Sequence, residues 1–248
     1  MQPYFFPYIG YFQLINAVDE FLVYDEVNFI KKGWVNRNNI LINGKPYLIN
    51  VPLIGKSSSK KINEVELVGD TKWRKKMLLD FYLNYKRAKY FNDVYPILEK
   101  VINYPTNKLA KLNYQSVKCV SDYLGIKTNI SNDISMFNDL EAKLYSKNID
   151  ETLFSNIKLA YWERKVIRIL EICRIKNAEI YINPIGGISL YSKEEFLLNG
   201  IELKFVKTKE IVYPQYGNEF VPYLSIIDVL MFNSIEEVNH LLGQYELI

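Results

Sequence analysis

The sequence predicts an α/β fold, a Rossmann-like mixed sheet flanked by helices, and three observations support this prediction. Short apolar runs rich in strand-forming residues, at 21–24 and 178–182, alternate with stretches whose apolar residues recur at helical spacing. An Asn-Gly pair at Asn43 joins two further strand-like runs, which is the strongest short-range signal for a hairpin. Serines that precede an acidic residue by three positions, the pattern of a helix N-cap, recur near the end of the chain.

The first part of the chain is predicted to form a helix followed by strands. Residues 10–18 carry apolar side chains at helical spacing and precede the strand at 21–24. Residues 39–51 are predicted to form the hairpin, and 62–67 an alternating strand. Between them, the small, polar and basic segment 55–61 is expected to be a mobile loop, which either closes over an anion or is a solvated connection.

The middle of the chain is predicted to be helical. Large apolar residues recur every fourth position over 73–85, which places them on one stripe of a helix. Residues 91–103 and 108–123 read as two more amphipathic helices. Residues 131–156 have weak periodicity and are expected to form an irregular insertion or a flexible connection.

The last part returns to alternating helices and strands. A helix over 161–177, the strand at 178–182 and a strand over 202–206 are predicted. Short helices are expected after the capping serines, which are Ser192, Ser225 and Ser234. Asp228 is expected to cap backbone amides as the third residue after Ser225.

No repeat or linker divides the chain, so one domain over residues 1–248 with a helical insertion is the preferred organisation. Residues 70–160 as a separate helical subdomain are the alternative.

Composition excludes several classes of protein. A net charge of +3 is too small for general nucleic-acid binding, and no apolar run approaches the ~20 residues that span a bilayer. Two cysteines do not make a disulfide scaffold, so a cytoplasmic location is expected. The chain has one histidine, His240, which leaves too few histidines for the usual His-rich metal sites and argues against a His-based triad. No metal site is predicted. It has neither a Walker loop nor a G-x-G-x-x-G motif.

The opening forty residues are the strongest candidate for a site. An aromatic and proline-rich opening leads through the strand at 21–24 to Asp25, which is a candidate general base. Arg37 is a candidate anion clamp, and the two residues form either a catalytic pair or an ion pair. Lys32 beside Trp34 suits a phosphate or diphosphate attached to a ring, unless it belongs to a solvated charged turn.

A second candidate region follows the predicted strand at 178–182. The turn from Asn183 to Gly187 lies where open α/β sheets commonly place ligands. Its two glycines either let backbone amides approach a ligand or serve a strand-to-helix turn with positive φ. Gln215, in an aromatic loop, is a further candidate ligand contact.

Ordered blocks spread over almost the whole chain resemble the WbqC-like family of bacterial proteins. They are Gln2-Pro-Tyr-Phe-Phe-Pro-Tyr-Ile-Gly-Tyr, Asp25-Glu-Val-Asn-Phe, Trp34-Val-Asn-Arg-Asn, Tyr181-Ile-Asn-Pro-Ile-Gly-Gly, Leu190-Tyr, Gln215 and Phe220-Val-Pro-Tyr-Leu-Ser-Ile-Ile-Asp-Val-Leu. Together with the patterns above, they define the candidate substrate-binding residues: Gln2, Tyr4, Tyr8, Gly10, Tyr11, Asn28, Lys32, Trp34, Asn36, Asn38, Asn183, Gly186, Gly187, Tyr191 and Gln215.

The chain departs from the family pattern in two places. Family members carry a short apolar strand before the Met-Gln-Pro block, whereas Met1 begins the block here, and residues 131–160 diverge from the usual connection. There is also a distant likeness to pantothenate-synthetase-type nucleotidyltransferases, in which a His-x-Gly-His turn joins a strand to a helix. Tyr8 and Tyr11 stand in place of those histidines, so this likeness supports only the Rossmann-like fold.

The resemblance implies a role in O-antigen or other surface-glycan biosynthesis, for which a glycine transferase activity has been proposed in this family. The implied reaction joins an acyl or aminoacyl group, from a free or carrier-bound donor, to the amine of a nucleotide-linked amino sugar. One alternative is an ATP-dependent amide ligase or nucleotidyltransferase-like enzyme, for which ATP is the cofactor. The other is a non-catalytic binding protein of a glycan assembly complex.

Overall fold

A computed structural model of the protein describes residues 1–145, 154, 157, 163–217 and 219–248. Within these residues the fold is a mixture of helices and short strands. The α-helices are α1 (Ile9–Asn16), α2 (Lys72–Tyr85), α3 (Phe91–Ile102), α4 (Leu109–Tyr123), α5 (Asn138–Tyr145), α6 (Arg164–Ile175), α7 (Lys193–Leu198), α8 (Ile226–Phe232) and α9 (Ile235–Leu242). The strands are β1 (Glu20–Leu22), β2 (Arg37–Ile42), β3 (Lys45–Asn50), β4 (Leu53–Ile54), β5 (Glu66–Leu67), β6 (Asn129–Ser131), β7 (Ile180–Pro184), β8 (Glu202–Thr208) and β9 (Tyr245–Leu247).

The chain divides into two compact units. The first unit consists of Met1–Asn132 and Glu210–Gln244, and the second of Asp133–Lys209 and Tyr245–Ile248. Helices α2, α3 and α4 belong to the first unit together with the opening segment of the chain.

The described residues of the first unit form three small sheets of two strands each. Strands β1 and β6 are parallel, with Phe21 opposite Ile130, while β2–β3 and β4–β5 are antiparallel. The α/β class is therefore confirmed, but a Rossmann-like arrangement is not, because the described strands of this unit do not join into one sheet.

The hairpin predicted over residues 39–51 is present as β2 and β3. Asn43 and Gly44 both have positive φ, 51° and 71°, as the two central residues of a type I′ turn require. Ile40 and Ile49 are buried, which anchors one face of each strand in the core. The local turn chemistry and the burial pattern thus specify the same register.

The helices of the first unit follow the predicted apolar stripes. Met77, Phe81 and Tyr85 of α2 are buried, and Trp73, one turn earlier, is half-buried. The predicted helices at 91–103 and 108–123 are α3 and α4, with boundaries shifted by one residue.

The strand predicted over residues 62–67 is largely wrong. Residues Ile62–Glu64 form a short 3-10 turn, in which the Lys61 amide donates to Glu64 Oε2 at 2.7 Å, and only β5 remains extended. Local side-chain capping overrides the alternating pattern here. The preceding loop, residues 55–61, is anchored near its end by a backbone hydrogen bond, which the Phe29 amide donates to the Lys60 carbonyl at 2.9 Å.

The second unit is built on a three-stranded sheet in the order β7-β8-β9. Strands β7 and β8 are parallel, with Asn183 opposite Phe205, and β9 is antiparallel to β8. Helices α6 and α7 cover a core that includes Val166, Leu170 and Phe196.

The irregular segment predicted over 131–156 contains a helix, α5, so that part of the prediction is wrong. Leu140 and Leu144 are buried against Ile167 of α6, and Glu141 accepts a bidentate pair of hydrogen bonds from Arg168 at 2.6 and 3.0 Å. These contacts with a helix distant in sequence stabilise a weakly periodic segment. Residues 146–153, 155–156 and 158–162, which include part of the predicted helix at 161–177, lie outside the described residues.

Candidate functional site

The opening segment is a folded turn held by side chains from three distant parts of the first unit. Phe6 has a positive φ of 41° and is fully buried. Its carbonyl accepts hydrogen bonds from Asn38 Nδ2 at 2.6 Å and from Ser225 Oγ at 2.7 Å, and its amide donates to Ser116 Oγ at 3.3 Å. Asn38 is therefore a buried support of the aromatic opening.

Tyrosine rings line the start of α1. Tyr8 precedes the helix and folds back over Gly10, where a Cβ atom would come within 2.4 Å of the Tyr8 ring. Tyr4 lies 5.7 Å from Tyr11 between ring centroids, and the Tyr11 hydroxyl donates to the Gln2 carbonyl at 2.8 Å. The structure thus brings Gln2, Tyr4, Tyr8, Gly10 and Tyr11 together, with Tyr8 the exposed member.

Asp25 is a half-buried carboxyl at the end of the segment that continues β1. Burial, and secondly the negative charge of Glu26, raises its pKa to about 6. Backbone hydrogen bonds join this segment to the start of the chain and to the turn at residues 62–64. The Tyr24 amide donates to the Met1 carbonyl at 2.7 Å, and the Asn63 amide donates to the Asp25 carbonyl at 3.2 Å. A carboxyl with this pKa is ionised, yet basic enough to accept a proton near neutral pH.

Glu26 has polar partners of its own. It forms a salt bridge with Lys61 and accepts a hydrogen bond from Asn63 Nδ2 at 2.8 Å. The charge of Glu26 is thus held by a cation and an amide, while it still acts on the adjacent Asp25 carboxyl.

Arg37 lies at the start of β2 and is held by the loop before it. Its Nε donates to the Gly33 carbonyl at 3.0 Å, and Nη2 donates to the Lys32 carbonyl. The guanidinium carbon lies 5.8 Å from the Trp34 ring centroid. Among the described residues, Arg37 and Asp25 do not pair as ions, so the ion-pair alternative is not observed.

The remaining candidates between residues 28 and 36 divide into exposed and buried residues. Asn28, Lys32 and Trp34 are exposed, and Trp34 has 46% of its surface accessible. Asn36 is buried instead, and its Nδ2 donates to Asn50 Oδ1 at 2.6 Å and to the Val51 carbonyl at 2.9 Å. Asn36 therefore holds the hairpin base.

The predicted capping role of Asp228 is wrong. Ser225 Oγ caps α8 by accepting from the Ile227 amide at 3.3 Å, while the Asp228 side chain is fully buried and accepts three side-chain hydrogen bonds. The donors are Tyr85 (2.8 Å), Tyr213 (2.9 Å) and Gln215 (2.8 Å). Burial raises the pKa of Asp228, and these hydrogen bonds oppose the shift.

Gln215 is held within this buried network. Besides Asp228, its Nε2 donates to the Val221 carbonyl at 3.0 Å, and its Oε1 accepts from the Val221 amide at 2.8 Å. Sequence reasoning missed the network, although an acidic residue inside the apolar stretch at 224–231 was its signal.

The second unit places the other candidates at the carboxyl end of β7. Asn183 is the second-last residue of β7, and its side-chain amide lies over Gly187, where a Cβ atom would come within 2.3 Å of Nδ2. Gly186 and Gly187 form a 3-10 turn, and neither has positive φ, so the positive-φ explanation of the glycines does not apply. Tyr191 lines an open cavity of about 580 Å³ with Phe205 and Glu163.

Three other features would bear on function: a cysteine nucleophile, a metal site and a membrane-spanning helix. Burial raises the pKa of the Cys173 thiol to about 12, so that cysteine is not a nucleophile near neutral pH. The described residues contain no group of three or more His, Cys, Asp or Glu side chains that could hold a metal ion. No helix in the described ranges is both long and apolar enough to cross a membrane.

Comparison with known proteins identifies the family. The model of the WbqC-like protein family matches residues 2–240. The uncharacterized protein Rv1507c of Mycobacterium tuberculosis is 33% identical over 134 residues, and the match covers 53% of this chain and 58% of that relative. No solved structure matches the chain. Because the family match extends over nearly the whole sequence, the chain belongs to the WbqC-like protein family.

Proposed function

We propose that the protein transfers an acyl or aminoacyl group, such as glycyl, to the amine of a nucleotide-linked amino sugar. The observation that carries this proposal is Asp25, a carboxyl with a pKa raised to about 6 in a segment adjoining the tyrosine-lined opening. The resemblance to proteins of surface-glycan clusters favours an amino sugar as acceptor. The reaction belongs in the cytoplasm, where nucleotide-linked sugars are made.

Asp25 acts as the general base in this proposal. The acceptor nitrogen attacks the acyl carbonyl carbon, and a carbon–nitrogen bond forms while the bond from that carbon to its leaving group breaks. The nitrogen loses one proton, which the Asp25 carboxylate accepts. The leaving group takes the electron pair of the broken bond.

Other candidates from the opening forty residues suit the rest of the acceptor. Tyr8 and Trp34 present exposed aromatic faces, which pack against sugar rings and bases. Arg37 retains N–H groups beyond those bonded to Lys32 and Gly33, and with the Lys32 ammonium it can hold a diphosphate. The two backbone hydrogen bonds and Trp34 orient the guanidinium.

The direct test incubates the purified chain with UDP-linked amino sugars and a panel of glycyl and acyl donors, including thioester-bound ones. Mass spectrometry should detect an amino sugar heavier by one acyl group. Asp25→Asn should reduce product formation by about 10²-fold or more, as expected for loss of a general base. Asp93→Asn is the matched control, because Asp93 is an exposed acid in the first turn of α3.

Three results would contradict the proposal. Absence of any mass gain across the panel would contradict the transferase activity. Equal rates for Asp25→Asn and Asp93→Asn would contradict the role of Asp25 as the general base. Product that forms only with ATP and a free acid, with release of pyrophosphate or AMP, would identify an amide ligase instead.

A further inference from the structure

A cleft of about 780 Å³ lies in the first unit, and none of the residues that line it has been assigned a functional role above. It is formed by the loop before α2, the start of α2, the loop between α3 and α4, and the first turn of α4. This volume is within the range that encloses small-molecule ligands. No candidate from the sequence patterns lies in its walls.

The charged side chains that line the cleft are all basic. They are Arg74, Lys75 and Lys111, and no Asp or Glu is among the described residues that line it. Two carboxyls adjoin the lining residues in sequence, those of Glu66 and Asp70, and each has a partner of its own. Glu66 pairs with Lys108 at 3.0 Å, and Asp70 accepts from the Lys72 amide at 2.7 Å. The cleft is therefore a concave surface of positive charge.

Arg74 is fixed in place as part of the wall. Its Nη1 donates to the Ile102 carbonyl and its Nη2 to the Thr106 carbonyl at 3.0 Å, and these bonds tie α2 to the end of α3 and to the α3–α4 loop. The guanidinium carbon lies 4.6 Å from the Trp73 ring centroid. These contacts use two of the five N–H groups, so the others remain as donors whose direction is already set.

Lys75 and Lys111 add two further positive charges to the lining of the cleft. Both are exposed, and neither takes part in an ion pair with another described residue. Thr71, Thr106, Asn103 and Asn107 add hydroxyl and amide groups, and Leu67, Tyr104 and Pro105 add an apolar wall. Donors and cations beside an apolar wall match a phosphate chain joined to a ring.

We propose that this cleft binds a small molecule that carries a diphosphate, with Arg74, Lys75 and Lys111 contacting the phosphate oxygens. A diphosphate fits better than a single carboxylate because three cations line one cleft. A nucleic-acid strand fits worse, since the whole chain carries a net charge of only +3. The site does not depend on the transferase proposal, which uses other residues.

Isothermal titration of the full-length chain with pyrophosphate, ADP and UDP tests the site. Saturable binding that weakens as salt rises is expected for a diphosphate site. A nucleoside diphosphate should bind more tightly than pyrophosphate, because its base can pack against the apolar wall. The double variant Lys75→Ala/Lys111→Ala should bind these ligands at least about tenfold more weakly. Both lysines are exposed, so the variant should remain folded, which circular dichroism verifies.

The matched control is Lys45→Ala/Lys100→Ala, which removes the same charge from two exposed lysines outside the cleft. Equal weakening in both double variants, or binding of none of the three ligands, would overturn the proposal. Tighter binding of a single-stranded oligonucleotide than of ADP, lost in Lys75→Ala/Lys111→Ala, would assign the cleft to nucleic acid and also overturn it. Loss of ligand binding in Asp25→Asn, with binding retained in Lys75→Ala/Lys111→Ala, would place the ligand outside the cleft and overturn the proposal.

Discussion

Asp25 has surroundings that disfavour its charge, so its ionisation costs folding free energy. Its pKa is raised to about 6 in the folded chain, from an ordinary value of 3.8. Because the folded state holds the proton more tightly, the associated stability is present below about pH 4 and is lost as pH rises through about 6. The group proposed for catalysis therefore destabilises the fold at neutral pH.

Asp25→Asn should consequently be more stable than the wild type at pH 8 and about equally stable at pH 4. We expect a gain of about 1 kcal/mol at pH 8, reduced from the full effect because solvent screens the half-buried carboxyl. Urea unfolding at the two pH values measures the difference. A gain of the same size at both pH values would contradict the assigned origin of the shift.

Gly10 leaves room for the Tyr8 ring, which would otherwise meet a Cβ atom at 2.4 Å. Alanine in a helix is ordinarily about 1 kcal/mol more favourable than glycine, and in the wild type the displaced ring should offset much of that gain. Gly10→Ala should therefore stabilise the protein more in a Tyr8→Ala background than in the wild type. A double-mutant cycle by urea unfolding measures the coupling between the two substitutions. Strictly additive changes in the free energy of unfolding would contradict a clash between the Tyr8 ring and a Cβ atom at position 10.

At the scale of elements, the β2–β3 hairpin depends on its two turn residues. Gly44 has a φ of 71° with open space around its Cα, so a substitution there meets backbone strain and no clash. Gly44→Ala should lower the free energy of unfolding by about 1 kcal/mol.

Gly69→Ala is the control for this prediction. Gly69 also has open space around it, but its φ lies outside the left-handed region, so alanine there should be neutral or stabilising by up to about 1 kcal/mol. Thermal unfolding of both variants measures the contrast. Equal effects of the two substitutions would mean that the positive φ of Gly44 is not the cause.

At the scale of the whole molecule, the Asp228 network joins parts of the first unit that are far apart in sequence. Tyr85 of α2 donates to Asp228 of α8 across 143 positions, and its hydroxyl also accepts from the Leu41 amide of β2 at 2.9 Å. Tyr213 donates to the other carboxylate oxygen. The network thus connects β2, α2, α8 and the loop that contains Gln215.

Tyr85→Phe should cost more stability than Tyr213→Phe. The first change leaves both the Leu41 amide and one carboxylate oxygen without the Tyr85 hydroxyl, whereas Gln215 continues to donate to the oxygen that Tyr213 contacts. We expect losses of about 3 and about 1 kcal/mol, respectively. Denaturant unfolding of both variants provides the measurement, and a reversed order would contradict the hydrogen-bond assignment.

The local elements could largely be predicted from the sequence. The hairpin at Asn43-Gly44, the stripe of α2 and the caps at Ser192 and Ser234 depend on residues within a few positions of one another. Helix α5 escaped prediction because its stability comes from α6, which begins 19 positions after α5 ends. Sheet order escaped it for the same reason, since β1 pairs with β6 about a hundred positions later.

The sequence by itself determined the membership in the WbqC-like family, the α/β class, and the choice of Asp25 and Arg37 as candidates. Only the tertiary structure decided what surrounds them: Arg37 is bonded to its own loop, and Asp25 is half-buried beside Glu26. It also placed Asp228 in a buried network and three basic residues around one cleft. The physical reason is that charge environment and burial arise from contacts between distant segments, which no local spacing of residues encodes.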